Sequence, residues 1–427
     1  MPPLAAMSGS LGLELAVFGS LLALGGLLAG LAHRSFLSLT ALFVLFGFAL
    51  GPGGLGVLTF DPGSGFVETL AIVALIVLLF RDGLEVDAEM LQKAWHVPLR
   101  KLVLAMPLTA AIVAVAAEAL TDLSWTEAFL LGALLSPTDP VLSSSVVTNP
   151  RVPRLVRHSL NLESGMNDGL ALPAVLALTA VVAGGAPGQF NVLTFVIQDI
   201  GVGLVSGVVF GLVAARVFPR GTRLEGGPSP HQKAIYALGV AFAAYGIAVL
   251  PPEGNGFIAV FVCALTLGIL RPDIRHCFEA RAEDIVEVVK LGVFVVFGAL
   301  LSLPALFSEG LAGVTIVLVT LLVARPVAVF ASLVGTKIDT PTKAFMAWFG
   351  PKGVATMTFS LLVLAQLGGA GQTLFNLAAL TVFVSIVAHG LTDNAGANWI
   401  ARRAERLGEP NAVAAGWRRA PDQRTPV

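Results

Sequence analysis

Charge is what this sequence has least of. Of its 427 residues only 53 are Asp, Glu, Lys or Arg, which is 12% against roughly 25% in soluble globular domains. Apolar residues make up 56%, and a chain this long needs far more charge than this to face water, so an ordinary soluble protein is excluded and lipid must cover most of the surface. A net charge of −1 leaves no general attraction to nucleic acid. The two cysteines, Cys263 and Cys277, build no disulfide framework, and neither has a second ligand-type residue at metal spacing. There is no phosphate-cradling Gly-rich loop ending in Lys-Ser/Thr and no zinc spacing, so no cofactor is expected. Any chemistry lies inside the membrane.

What is present is a series of long apolar runs. Crossing a hydrocarbon core of roughly 30 Å takes about 20 residues of helix, and thirteen such runs lie near 11–32, 35–51, 66–81, 99–118, 126–147, 158–183, 191–217, 231–250, 255–270, 285–303, 310–333, 343–366 and 373–400. The first is too long for a signal peptide and is read as a spanning helix. Translocated loops avoid Lys and Arg. Here 23 of the 26 cations fall after the odd-numbered runs and none after the even-numbered ones, which predicts an N-terminus outside and a short cytoplasmic tail over 401–427. By this reading Arg81 and Lys101 belong to a cytoplasmic loop, Lys290 snorkels from the tenth run beside Glu287, and Arg325 and Lys352 are the two deep cations. Gly203, Gly207 and Gly211 have the spacing of close helix packing, as do Gly26 and Gly30, for which a dimer seam is the second reading.

Two runs are interrupted. The fifth contains Ser136-Pro137-Thr138-Asp139-Pro140 and the twelfth Gly350-Pro351-Lys352-Gly353, and neither survives as regular helix because proline supplies no N–H. If the seventh run is unpaired, runs 1–6 and 8–13 form two inverted halves with a break at the fifth place of each, the arrangement that in transporters marks the ion site. Asp139 then stands before the positive N-terminus of the second part of its own run, and Lys352 after the negative C-terminus of the first part of its own.

The sixth run opens with Glu163, Ser164, Asn167 and Asp168 on one arc of roughly 140°. Asp168 lies about 16 Å in from Arg157 and Asp139 a similar depth from the other side. Acids at mid-bilayer cost at least about 2.5–3.5 kcal/mol on insertion scales and mark ion or proton paths. Structural pairing with Arg325 and Lys352 accounts for Glu163 and Asp139, leaving Asp168 to hold a proton or a cation. Asp168, Ser164, Glu163 and the Thr138 carbonyl offer the oxygen ligands a hard cation such as sodium requires.

Together Thr138-Asp139-Pro140, Glu163-Ser164-Gly165-Met166-Asn167-Asp168, Arg325-Pro326 and Gly350-Pro351-Lys352-Gly353 resemble the NhaP-type sodium/proton antiporters of the cation:proton antiporter family, on its Asn-Asp branch, and the likeness spans nearly the whole chain. The resemblance implies an all-α membrane protein of the inner membrane, a homodimer of 13-helix chains. It implies a transport domain over 1–400, whose core (about 99–183 and 310–400) moves against a dimerisation scaffold (about 11–81 and 191–303). It implies Asp168 as the carrier of either cation or proton, with Glu163, Ser164, Thr138 and the neighbouring Asn167 around it. The implied ion pairs are Arg325 with Glu163, and Lys352 with Asp139 and Asp82. Most members have Arg where this chain has Lys352, which turns a forked contact into a point charge. Electroneutral exchange of sodium or lithium for one proton is expected, since Asn167 does not titrate and Arg325 stays charged. A K+/H+ antiporter or channel-like potassium efflux system is the alternative, and an organic-anion carrier of similar crossed-helix fold a more remote one. An intramembrane enzyme would need a nucleophile and base at matched depth, and none stands out.

Overall fold

The computed structural model describes residues 19–20, 23, 39–62, 64–86, 96–139, 146, 149–184, 195–221, 227–251, 254–281 and 283–407. Among them the regular structure is helical throughout and contains no strand. The first run lies outside the described residues apart from Gly19, Ser20 and Ala23, as do Pro140 and the end of the tail.

The helices are α1 (Leu39–Leu50), α2 (Gly65–Glu85), α3 (His96–Leu120), α4 (Trp125–Leu135), α5 (Arg154–Gly184), α6 (Ile197–Val217), α7 (Pro230–Ala248), α8 (Gly256–Leu270), α9 (Pro272–Arg281), α10 (Glu283–Ala299), α11 (Gly310–Ser332), α12 (Thr340–Trp348), α13 (Val354–Leu367) and α14 (Gln372–Leu407). Their starts are written locally. Ser124 and Glu127 form a reciprocal capping box at α4, Ser229 and Gln232 another at α7, and Asn255 accepts from two N–H groups at the start of α8, satisfying donors that a helix leaves free. Among the described residues five helical stretches are long and apolar enough to cross a membrane, or six if α8 is joined to α9 across a 116° bend. The bend begins at Arg271-Pro272, where the missing N–H stops the helix.

Glycines set the closest approaches. A Cβ on Gly207 would fall 2.7 Å from the Ala259 carbonyl oxygen, and one on Gly211 2.6 Å from Thr266, so the glycine stripe of α6 is the seam against α8. Gly26 and Gly30 lie outside the described residues.

Two helices carry a matching irregularity. In α3 the segment Lys101–Ala105 and in α11 the segment Thr320–Ala324 are π-helical, closed by N–H groups of Met106 and Arg325 that reach back five residues to Lys101 and Thr320. Each stands just before a proline, Pro107 and Pro326. A proline leaves one carbonyl of the preceding turn without its donor and pushes its ring into that turn, and one inserted residue relieves both. The fourth and eleventh runs thus share a feature, just as the fifth and twelfth share a break.

Candidate ion site at two crossed helix breaks

After α4 the chain runs non-helical through Pro137, Thr138 and Asp139, and after α12 through Phe349 to Gly353. The two stretches are bonded to each other. The Asp139 N–H donates to the Pro351 carbonyl at 2.8 Å, and Thr356 Oγ1 donates to the Leu134 carbonyl at 3.0 Å. Asp139 Oδ2 accepts from the Val354 N–H at 3.2 Å, so this carboxylate caps the positive N-terminus of α13. Lys352 Nζ donates to the carbonyls of Ser136 at 3.2 Å and Pro137 at 3.0 Å, the negative end of α4. Each charge therefore serves the other run's half-helix, not its own as the sequence alone suggests. The negative end of α12 is met by Arg325 instead, whose Nη2 lies 3.4 Å from the Met346 carbonyl and 3.5 Å from that of Phe349.

The expected ionic pairing of Lys352 with Asp139 and Asp82 is corrected by this geometry. A lysine ammonium is a single compact donor group, and two carbonyls freed at the Pro137 break lie within its reach. Asp82 is paired within its own helix, accepting from Arg81 Nε at 2.9 Å and Nη2 at 2.6 Å. The glycines around Lys352 make room for the other charges. A Cβ on Gly353 would fall 2.5 Å from Asp139 Oδ2, and one on Gly350 would overlap the Arg325 guanidinium.

Arg325 and Glu163 meet as a fork, Nη1 to Oε1 at 3.0 Å and Nη2 to Oε2 at 3.4 Å, with both side chains buried. A second cation joins them, because Lys101 Nζ contacts Glu163 Oε2 from a side chain with no exposure. Both cations stand at the edge of the two π-helical segments, Lys101 opening one and Arg325 following the other. The loop placement of Arg81 and Lys101 is corrected: Arg81 lies within α2, and Lys101 lies inside α3 against Glu163 of α5. Positive-inside counting misses this because it weighs lysines near a helix end without regard to which way the end faces.

The polar arc of α5 is split between two neighbourhoods. Glu163 faces Lys101 and Arg325. Asp168 stands five residues on, along the stretch of α5 that packs on α2, where a Cβ on Gly165 would fall 3.6 Å from the Asp82 carbonyl oxygen. Asn167 stands between them and donates from Nδ2 to the Thr138 carbonyl at 2.8 Å and to Thr138 Oγ1 at 3.0 Å. One lone pair of the Thr138 carbonyl expected to bind a cation is thus taken by Asn167. Among the described residues Asp168 Oδ1 is buried without a hydrogen-bond partner, and so is Asn167 Oδ1. Ser164 is half-buried on the same helix.

His389, buried within α14, stands against the break of the twelfth run. Its Nε2 lies 2.9 Å from the Trp348 carbonyl and its Nδ1 3.2 Å from Ser385 Oγ, which itself accepts from the Lys352 N–H at 2.8 Å. The imidazole therefore ties the two sides of the break in the twelfth run to α14. No pattern in the sequence points to it, because the contact that reaches across is to a backbone carbonyl, that of Trp348, on another element.

The family profile described as "Sodium/hydrogen exchanger, transmembrane" matches residues 19–394. The chain belongs to the sodium/hydrogen exchanger family. Among named members, it is 28% identical over 372 residues to the K(+)/H(+) antiporter NhaP of Alkalimonas amylolytica, covering 84% of this chain and 62% of that one. It is 27% identical over 382 residues to NhaP2 of Shewanella oneidensis, covering 88% and 65%. This exchanger-family chain thus spans somewhat under two thirds of the length of those relatives. It is 24% identical over 358 residues to Na(+)/H(+) antiporter 1 of Methanocaldococcus jannaschii, covering 81% and 82%. The fold of the solved sodium proton antiporter MjNhaP1 from that organism superposes with a TM-score of 0.76 at 21% identity, covering 94% of this chain and 100% of that one.

Proposed function

We propose that this exchanger-family chain exchanges a monovalent cation for a proton across the membrane, with Asp168 as the group that carries either one. The observation that carries the reading is the buried, unpartnered Asp168 Oδ1, set beside two crossed helix breaks whose dipole ends are already neutralised by Asp139, Lys352 and Arg325. An acid in that position must hold a proton or a cation. Competition between the two for one carboxylate couples their movements, and the bare anion crosses low dielectric with difficulty.

Sodium or lithium is the first reading of the cation, with Ser164, the free lone pair of the Thr138 carbonyl and Asn167 Oδ1 as neighbouring oxygens and Glu163 joining when released. Potassium is the second reading, favoured by the names of the bacterial NhaP relatives. One proton is exchanged per cation, because Asn167 does not titrate and Arg325 stays charged. The chain spans an inner membrane with thirteen helices in two inverted halves, N-terminus outside and tail inside, which the cation distribution and the paired breaks and π-segments support. Residues 99–183 and 310–400 form the moving core. A second copy docks on the scaffold over 11–81 and 191–303, whose α6 exposes Val205, Val209, Val213 and Val217 to lipid or to that copy. In proteoliposomes, imposed gradients of sodium, lithium and potassium in turn should each be scored for proton movement; no proton movement with any of them overturns the reading.

A further inference from the structure

Glu163 carries one negative charge and has two cations on it. The Arg325 fork reaches both carboxylate oxygens and is sufficient to neutralise them. Lys101 is the surplus. Its ammonium touches Glu163 Oε2, has no exposure, and finds no other hydrogen-bond acceptor among the described residues. The charged groups facing it from packed elements are Glu163 of α5 and Arg325 of α11; on its own helix Arg100 turns away to the Val334 carbonyl.

Lys101, Glu163, Asn167, Ser136 and Arg325 line one cavity. In it Asn167, only 2% exposed, leaves Oδ1 without a donor. Its amide orientation is fixed, because Nδ2 points at the Thr138 carbonyl, which only accepts. Two oxygens with affinity for a cation therefore border the same cavity, and an ammonium occupies the first of them. An ammonium and an alkali-metal ion carry the same charge and seek the same oxygen ligands.

We propose that the Lys101 ammonium is a tethered stand-in for the transported cation, occupying Glu163 Oε2 until an incoming cation displaces it toward a position shared by Glu163 and Asn167 Oδ1. This rests on the exchange reading above and names what holds that same site closed when it is empty. The π-helical turn that begins at Lys101 gives the side chain a backbone segment able to change register by one residue.

The test compares wild type with Lys101→Met and Lys101→Arg. Two quantities are read for sodium and for potassium: the half-saturating concentration in cation-driven proton flux at fixed pH, and the rise in melting temperature of detergent-solubilised protein on adding the salt, with choline chloride as the ionic-strength control. Lys101→Met leaves Glu163 paired one-to-one with Arg325, so it should fold, lower the half-saturating concentration about tenfold and enlarge the thermal shift. Lys101→Arg supplies a fork that a cation displaces poorly, so it should raise the half-saturating concentration about tenfold. Unchanged values in both variants, or weaker cation binding in Lys101→Met, overturn the stand-in while leaving the exchange reading intact. If wild type moves no protons the exchange reading fails, and the thermal shift still decides the stand-in because it needs binding alone. A Lys101→Met chain that does not fold overturns the claim that Lys101 is surplus.

Discussion

Glu163 is the side chain whose loss should disturb the core most, since two buried cations depend on it. Glu163→Ala strands Lys101 and Arg325 together, and leaving a buried charge without its partner costs about 3–5 kcal/mol. Arg325→Ala is milder in charge, because Lys101 stays on Glu163, although the Met346 and Phe349 carbonyls lose a donor. The expected order of melting temperatures is wild type, then Arg325→Ala, then Glu163→Ala, with Lys101→Met recovering part of the loss when added to Glu163→Ala. Losses that simply add would show that the three side chains are not coupled. Arg325 and Glu163 were legible as a pair in the sequence because each is a charge deep in an apolar run. Lys101 was not, since a lysine two residues into a run looks like a helix end until its neighbours in space are known. The role of Lys352 was half legible: its depth followed from the run around it, but which dipole end it meets depends on how two breaks cross.

At the scale of elements, the break in the twelfth run holds its shape through absent side chains. Gly353→Ala would drive a Cβ into the Asp139 carboxylate, which must stay in place to cap α13. Overpacking of this kind costs about 1–3 kcal/mol, and losing the cap adds to it, so the melting temperature and the exchange rate should fall together. A variant with wild-type exchange would show that the contact between breaks is dispensable. Away from the site, Arg271 fastens the bend between α8 and α9 by donating to the carbonyls of Ala215, Phe218 and Pro219 and, through Nε and Nη2, to Asp273. Hydrogen bonds from Arg271, outweighing the opposing effect of burial, and from Lys233 hold the Asp273 carboxyl well below the usual carboxylate range. A lowered carboxylate contributes stability that is complete above its unfolded value of roughly 3.9 and fades as pH falls toward the folded one. The melting-temperature advantage of wild type over Asp273→Asn should therefore be full at neutral pH and shrink in strong acid; an advantage that grew on acidification would contradict the assignment. The π-segments of α3 and α11 were invisible in the sequence except as Met106-Pro107 and Arg325-Pro326, because proline marks where a helix must adjust but not how, and a third, over Phe195–Val202 at the start of α6, has no proline to mark it.

For the whole molecule, the proposed cycle moves equal charge in both directions, cation one way and proton the other, so sodium-driven proton flux in proteoliposomes clamped with potassium and valinomycin should not track the imposed voltage. A rate or balance point that shifted with voltage would overturn the one-to-one stoichiometry and leave exchange itself standing. The central claim is narrower: one carboxylate, Asp168, alternates between proton and cation. Purified wild type and Asp168→Asn, reconstituted side by side at matched amounts and matched melting behaviour, test it directly. Wild type should acidify or alkalinise the vesicle lumen when a sodium or potassium gradient is imposed, and Asp168→Asn should give no cation-dependent proton signal above empty vesicles. A folded Asp168→Asn chain that exchanges at a rate near wild type would contradict the account.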